Sequence, residues 1–229
     1  MTMVLIGGMW LTAEIWEATV TALAGRGQRG VPVELPGQGD GDASATLEDQ
    51  LAAVVGVVDE LAAQGEKPVV VGHSAASTLA WLAADRRPEQ IGAVALIGGF
   101  PTSPGEAYFD AFPVVDGVVA FPGWEPFEGP DSADLDDAAK AAVAAAAVPV
   151  PGGVTMAAVA YTDDRRYDVP VILVCPEFSP DDAQEWIDDG DVPELAAARH
   201  LSYVDIDTGH WPMVSAPSAL ADALAGIAP

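Results

Sequence analysis

Only one of the 229 residues is a cysteine, Cys175, which rules out an intrachain disulfide and leaves too few thiolates for a cysteine-based zinc site. Basic residues are scarce as well: 9 Lys and Arg stand against 35 Asp and Glu, for a net charge of −26. So acidic a surface repels nucleic-acid phosphates and anionic lipid heads, so neither is an expected partner. The acidity favours solubility and suits a salty cytoplasm, where screening relieves self-repulsion. Long apolar runs are also missing. The least polar stretch outside the strands, Ala141 to Pro151, is far shorter than the ~20 residues of a membrane helix and contains prolines. The first residues, Met1 to Gly8, carry no basic leader and soon meet Glu14, so they read as a strand and the expected location is cytoplasmic.

Half of the residues, 50%, are hydrophobic, and a chain of this length buries roughly 70% of its unfolded surface without help from disulfides or metals. Short apolar runs alternate with helical patterns. Met3–Ile6, Val31–Leu35, Pro68–Val71, Ile91–Ile97, Val169–Cys175 and Leu201–Ile206 read as strands. Thr12–Ala24, with Thr12 as N-cap and Gly25 closing it, reads as a helix, as do Leu47–Ala63, Ala75–Ala84, Asp181–Ile187, Pro193–Arg199 and Ser218–Ile227. Continuous Val/Ile/Leu strands separated by helices predict an α/β fold whose mostly parallel central sheet is covered on both faces. Phe100 to Asp168 interrupts the rhythm with prolines, aromatics and one Ala-rich helix, Ser132–Val148. The acidic run Asp131–Asp137 reads as the negative first turn of that helix. The expectation is one domain, residues 1–229, with a helical lid insertion at about residues 101–168.

Chemistry concentrates at Gly72-His73-Ser74-Ala75-Ala76, directly after the third strand. A serine between small residues at a strand end and a helix start is the nucleophile elbow, which lifts a hydroxyl into the cleft at the C-terminal edge of the sheet. The bland alternative is a helix N-cap. A serine nucleophile needs a base, and the chain has three histidines. His73 is adjacent but is expected on the opposite side of the turn, as a packed neighbour. His200 ends a helical stretch on the surface. His210, in the loop after the last strand, can reach over the sheet edge toward Ser74. Acyl transfer also needs donors for an oxyanion. The N–H of Ala75 is one candidate, and the N–H of Met9, in the Gly7-Gly8-Met9-Trp10 loop, is the other.

These stretches resemble the α/β-hydrolase superfamily, and within it the small methylesterase-like and hydroxynitrile-lyase-like branch. The resemblance rests on Val4–Trp10, Val33–Gly39, Val69–Ala76, Ala95–Pro101, Val171–Trp186 and Gly209–Met213. It implies Ser74 as nucleophile, His210 as general base, and Met9 and Ala75 as oxyanion donors. Two positions depart from the family pattern. Gly7 stands where relatives commonly carry a histidine that braces the loop. Where relatives carry the triad aspartate, this chain reads Phe178 or Ser179. Glu177 is the nearest carboxylate, Asp181 the next, and a Ser–His pair without an acid is the third possibility.

Trp211 follows His210 where hydroxynitrile lyases of this branch place a lysine, which argues against cyanide elimination. Aspartate-nucleophile dehalogenases and epoxide hydrolases are excluded by Ser74. The expected activity is a serine esterase acting on neutral, modest-sized small-molecule esters, with no cofactor and no metal. Trp10, Trp124 and Trp211 are expected to line its substrate pocket, with some of the lid aromatics Phe109, Phe112, Phe121 and Phe127. A C–C hydrolase, a lactonase or cyclase, and a slow-turnover ligand-binding homologue remain alternatives. Monomer and homodimer are equally compatible with the sequence.

Overall fold

The computed structural model describes residues 1–227. In chain order its strands are β1 (Thr2–Ile6), β2 (Arg29–Pro32), β3 (Val69–His73), β4 (Ala93–Ile97), β5 (Val118–Val119), β6 (Val150–Pro151), β7 (Val171–Cys175) and β8 (Leu201–Asp205). Six of them form one sheet in the order β2-β1-β3-β4-β7-β8, and all its pairings are parallel. The helices are α1 (Glu17–Ala24), α2 (Leu47–Ala63), α3 (Ala76–Arg86), α4 (Asp137–Ala146), α5 (Gly152–Thr155), α6 (Pro180–Asp188), α7 (Pro193–Ala196), α8 (Pro212–Ser215) and α9 (Pro217–Ala225). No helix of the described residues is long and apolar enough to cross a membrane.

Every residue of β1, β3, β4 and β7 is buried, because helices cover both faces. Alternate side chains divide between two cores. Val4, Ile6, Val70 and Leu96 pack toward α2 and α3, while Met3, Leu5, Val71 and Ile97 pack toward α1 and α9. The chain lays β2 on one side of β1 and β3 on the other. In open α/β sheets ligands sit at the C-terminal ends of the strands where the order reverses, which here are those of β1 and β3.

Several boundaries differ from the sequence expectation, each for a local reason. The β2 ladder stops at Pro32, after which Val33 N–H donates to Leu5 O (2.9 Å) and the chain leaves the sheet. The expected Thr12–Ala24 helix starts as a 3-10 turn, Ala13–Trp16, and the Thr12 side chain caps nothing. The connection between β4 and β7 is mostly irregular: a β5–β6 antiparallel ribbon, the ten-residue α4 and the single turn α5 are its main regular elements. Its Ala-rich helix begins at Asp137, capped by Asp136 Oδ1, which accepts from Ala139 N–H at 2.8 Å. Asp131 and Asp134 therefore lie before the helix and not in its first turn.

Candidate active site

β3 turns into α3 through Ser74 and Ala75, and the sharpness of that turn is visible in the backbone. Ser74 has φ = +56°, a left-handed conformation that costs a non-glycine residue about 1–2 kcal/mol. Its N–H donates to Ile97 O (2.8 Å) and its carbonyl accepts from Ser77 N–H (2.9 Å), so the strained residue is pinned from both sides. The turn closes because its neighbours lack side chains. A Cβ on Gly72 would stand 2.3 Å from Ala76 O, and one on Gly99 would stand 2.5 Å from Ser74 O. The hydroxyl of Ser74 makes no hydrogen bond among the described residues.

The loop after β1 faces this elbow. A Cβ on Gly8 would lie 3.1 Å from the Cβ of Ser74. Among the described residues neither the Met9 N–H nor the Ala75 N–H enters a backbone hydrogen bond, so both donors are free. The loop is braced by a side chain that the sequence reading overlooked. Buried Gln38 donates from Nε2 to Gly8 O (3.2 Å) and Leu11 O (2.9 Å), and Gln50 Nε2 donates to Gln38 Oε1 (3.0 Å). The glycines on either side, Gly37 and Gly39, both at positive φ, were the available signal for an amide presented by a tight turn.

His210 lies between β8 and α8, with Nδ1 at 2.6 Å from Glu177 Oε1. Both side chains are 14% exposed. A Cβ on Gly98 would come within 3.1 Å of both His210 Nδ1 and Glu177 Oε2, while its neighbour Gly99 abuts the Ser74 backbone. The end of β4 thus gathers Ser74, His210 and Glu177 around one corner. Asp181 is exposed on the first turn of α6, and Ser179 caps that helix, its Oγ accepting from Asp182 N–H at 3.1 Å. Phe178 stacks on Phe100 with ring centroids 5.5 Å apart.

His73 is buried, the packed neighbour that was expected, but what its ring packs against is His210. Its ring centroid lies 4.9 Å from that of His210, and its Nε2 donates to His210 O at 2.7 Å. Burial pushes its imidazole down to about 3, the nearby His210 adds to this, and the bond to His210 O opposes it. The ring is therefore neutral in the folded protein while an unfolded chain protonates it below about 6.5. Because the folded value is depressed, its contribution to stability is complete above pH 6.5 and declines as pH falls from 6.5 toward 3. The variant His73→Gln should flatten this dependence by about 1.4 kcal/mol per pH unit, measured by urea unfolding at pH 7, 6, 5 and 4. Identical slopes for the two proteins would refute this account of His73.

Aromatic rings extend from His210 into the β4–β7 connection. Trp211 meets the His210 ring at 4.8 Å, and Trp124 and Phe127 meet Trp211 at 5.0 and 5.2 Å. Trp10 is ringed by Phe109, Phe112, Phe121 and Phe127, and its Nε1 donates to Val119 O (3.1 Å). Trp10 and Trp211 are almost fully buried by these contacts. Trp10 also borders a cavity of about 310 Å³ lined by Leu11, Ile15, Ala139, Val143 and Val214. Cys175 is buried, and burial first, with Asp205 and Glu177 adding to it, pushes its thiol up to about 12, so it offers no thiolate. No group of three His, Cys, Asp or Glu among the described residues is placed to hold a metal ion.

Residues 3–223 match the model of the alpha/beta hydrolase family. Over 113 residues, 48% of this chain, the sequence is 31% identical to an Arabidopsis thaliana protein named as a chloroplastic methylesterase, and the match spans about a third of that relative's length. An extracellular alpha/beta-hydrolase from a Paenibacillus species superposes with a TM-score of 0.76 at 19% identity, covering 98% of this chain and 97% of the other. Polyneuridine aldehyde esterase superposes at 0.74 and 18% identity over 100% and 99% of the two chains. Tomato methylketone synthase I gives 0.72 and 17% over 97% and 95%. At these identities the solved structures establish a shared fold.

Proposed function

The chain belongs to the alpha/beta hydrolase family, and from that membership we propose that it is a serine hydrolase that cleaves carboxylic esters through an acyl-enzyme on Ser74. The observation that carries this reading is the left-handed serine at the β3–α3 elbow beside a His210–Glu177 pair joined at 2.6 Å. Esterase-type relatives support it.

In this mechanism Ser74 Oγ attacks the ester carbonyl while His210 Nε2 takes its proton. Glu177 holds Nδ1–H, fixing the tautomer and stabilising the imidazolium. The N–H groups of Met9 and Ala75 receive the negative charge of the tetrahedral intermediate, and Gln38 holds the carbonyls on either side of Met9. His210 then gives its proton to the departing alcohol. Water follows the same path in reverse and frees the acid. The β4–β7 connection serves as the lid, its aromatic rings walling an apolar site against solvent. The net charge of −26 favours neutral over anionic substrates.

Hydrolysis of p-nitrophenyl esters from acetate to decanoate tests the reading, together with labelling by a fluorophosphonate probe. Turnover above about 1 s⁻¹ on an activated ester, with the label on Ser74, is the expected result. A chain that neither turns over any member of the series nor takes the label is not a serine esterase.

A further inference from the structure

The β4–β7 connection reaches the loop that carries His210 and bonds to its backbone. Gly209 N–H donates to Asp134 Oδ2 at 2.7 Å, and His210 N–H donates to Asp131 O at 2.7 Å. Contact is so close that a Cβ on Gly209 would stand 2.4 Å from both Asp131 O and Asp134 Oδ1. On its other side His210 is held by His73, through the carbonyl oxygen, and by Glu177, through Nδ1. The Asp131–Leu135 turn is itself anchored, since Ser132 and Leu135 are buried and Leu135 N–H donates to Ser132 O.

We propose that Asp134 is a positioning residue for His210, so that the lid segment is the anchor that aims the imidazole. The proposal rests on the serine-hydrolase reading for its catalytic consequence, though the tether itself does not. Helix electrostatics do not account for this carboxylate: α4 starts at Asp137 and takes its cap from Asp136. Asp134 is instead spent on an amide 75 residues away. A carboxylate accepting an N–H makes a stronger bond than a neutral acceptor, and here it replaces the contact with water that a loop amide would otherwise have. With the connection closed, both amides at the start of the His210 turn are fixed. Movement of the connection away from the sheet edge would release both together, leaving the imidazole aimed only by Glu177 and His73. The base is then fully aligned only beneath a closed lid, which couples hydrolysis to exclusion of water.

The test compares Asp134→Ala and Asp134→Asn with the native chain, using p-nitrophenyl acetate kinetics, amide hydrogen exchange at Gly209 and the imidazole NMR signals of His210. Asparagine retains a carbonyl acceptor and alanine does not. For Asp134→Ala, kcat should fall by about 10- to 100-fold, as for a misplacement of roughly 1 Å, while KM stays within about twofold. The Gly209 amide should lose protection and the His210 ring signals should move, and Asp134→Asn should restore all three toward native values. A native kcat in Asp134→Ala despite a deprotected Gly209 amide would overturn the proposal, as would a rise in KM alone. Unmoved His210 ring signals in the alanine variant would overturn it even in a chain that hydrolyses no ester. A native chain with no turnover and no fluorophosphonate label would instead overturn the hydrolase reading. Gly209→Ala, which must push the Asp131 carbonyl aside, is expected to match Asp134→Ala in kcat and ring signals. Failure to do so also counts against the tether.

Discussion

Glu177→Gln should lower kcat on p-nitrophenyl acetate by on the order of 10⁴-fold, while Asp181→Asn stays within about twofold of the native rate. An amide in place of the Glu177 carboxylate can meet His210 Nδ1 as a donor, which selects the wrong tautomer and leaves Nε2 protonated where it must accept the serine proton. It also withdraws the charge that stabilises the imidazolium. Asp181 has no such leverage, being exposed on the first turn of α6 with no contact to His210. Ser74→Ala and His210→Ala set the scale, with expected losses on the order of 10⁶-fold, because either removes the covalent route entirely. The double variant Glu177→Gln with His210→Ala should be little worse than His210→Ala alone, since the acid acts only through the base. Steady-state kinetics on the native chain and these five variants check this. A Glu177→Gln rate within tenfold of native would leave a Ser74–His210 pair as the whole machinery.

Glu177, and not an aspartate further along, reaches His210 because the loop after β7 is used differently here. Glu177 follows Cys175 by only two residues, and the longer glutamate side chain covers the distance to His210 from that early position. Gly98, at φ = +57°, leaves the room it occupies. The positions where an aspartate was sought, Phe178 and Ser179, are taken by an aromatic stack and by the capping box that starts α6.

The strands at the centre of the sheet were legible because burial on both faces demands unbroken apolar runs, and β1, β3, β4 and β7 have them. Ser74 was legible for a similar reason: only small neighbours permit the elbow. What could not be read is decided by contacts distant in sequence. The charge run Asp131–Asp137 looks like one helix start, yet it divides between a turn bonded to Gly209 and His210 and a true cap at Asp136. No periodicity distinguishes the two. His73 gives no local sign that its ring will lie against His210, because its partner is the carbonyl of residue 210. Gln38 belongs to the same class, a polar side chain whose role depends on which carbonyls fold toward it.

The largest expected loss of stability comes from Asp85, at the buried C-terminal end of α3. Its carboxylate accepts from Thr162 N–H (2.8 Å), Thr162 Oγ1 (3.0 Å) and Asp163 N–H (2.8 Å), where the β4–β7 connection returns to the sheet. Arg166 lies 3.5 Å from it and bonds through Nε to Glu194 Oε2 at 2.9 Å, an oxygen that also accepts from Trp81 Nε1. The guanidinium further stacks against Tyr167 at 4.1 Å and Tyr161 at 4.7 Å. Asp85→Ala strips two backbone amides and a hydroxyl of their acceptor inside the protein and shifts the charge balance around buried Arg166. Breaking a buried ion network from one side costs about 3–5 kcal/mol, and that is the loss expected in urea unfolding. Asp85→Asn keeps an acceptor for the amides and should lose roughly 1–3 kcal/mol, the scale of one unsatisfied buried polar contact. A loss below about 1 kcal/mol for Asp85→Ala would mean that water replaces the carboxylate and that the network is dispensable. Because Asp85 fastens the far end of the segment whose near side bonds to Gly209 and His210, the alanine variant should also exchange those two amides faster at temperatures where the sheet is still folded. A protein that loses global stability while keeping those amides protected would show that the two ends of the connection are held independently.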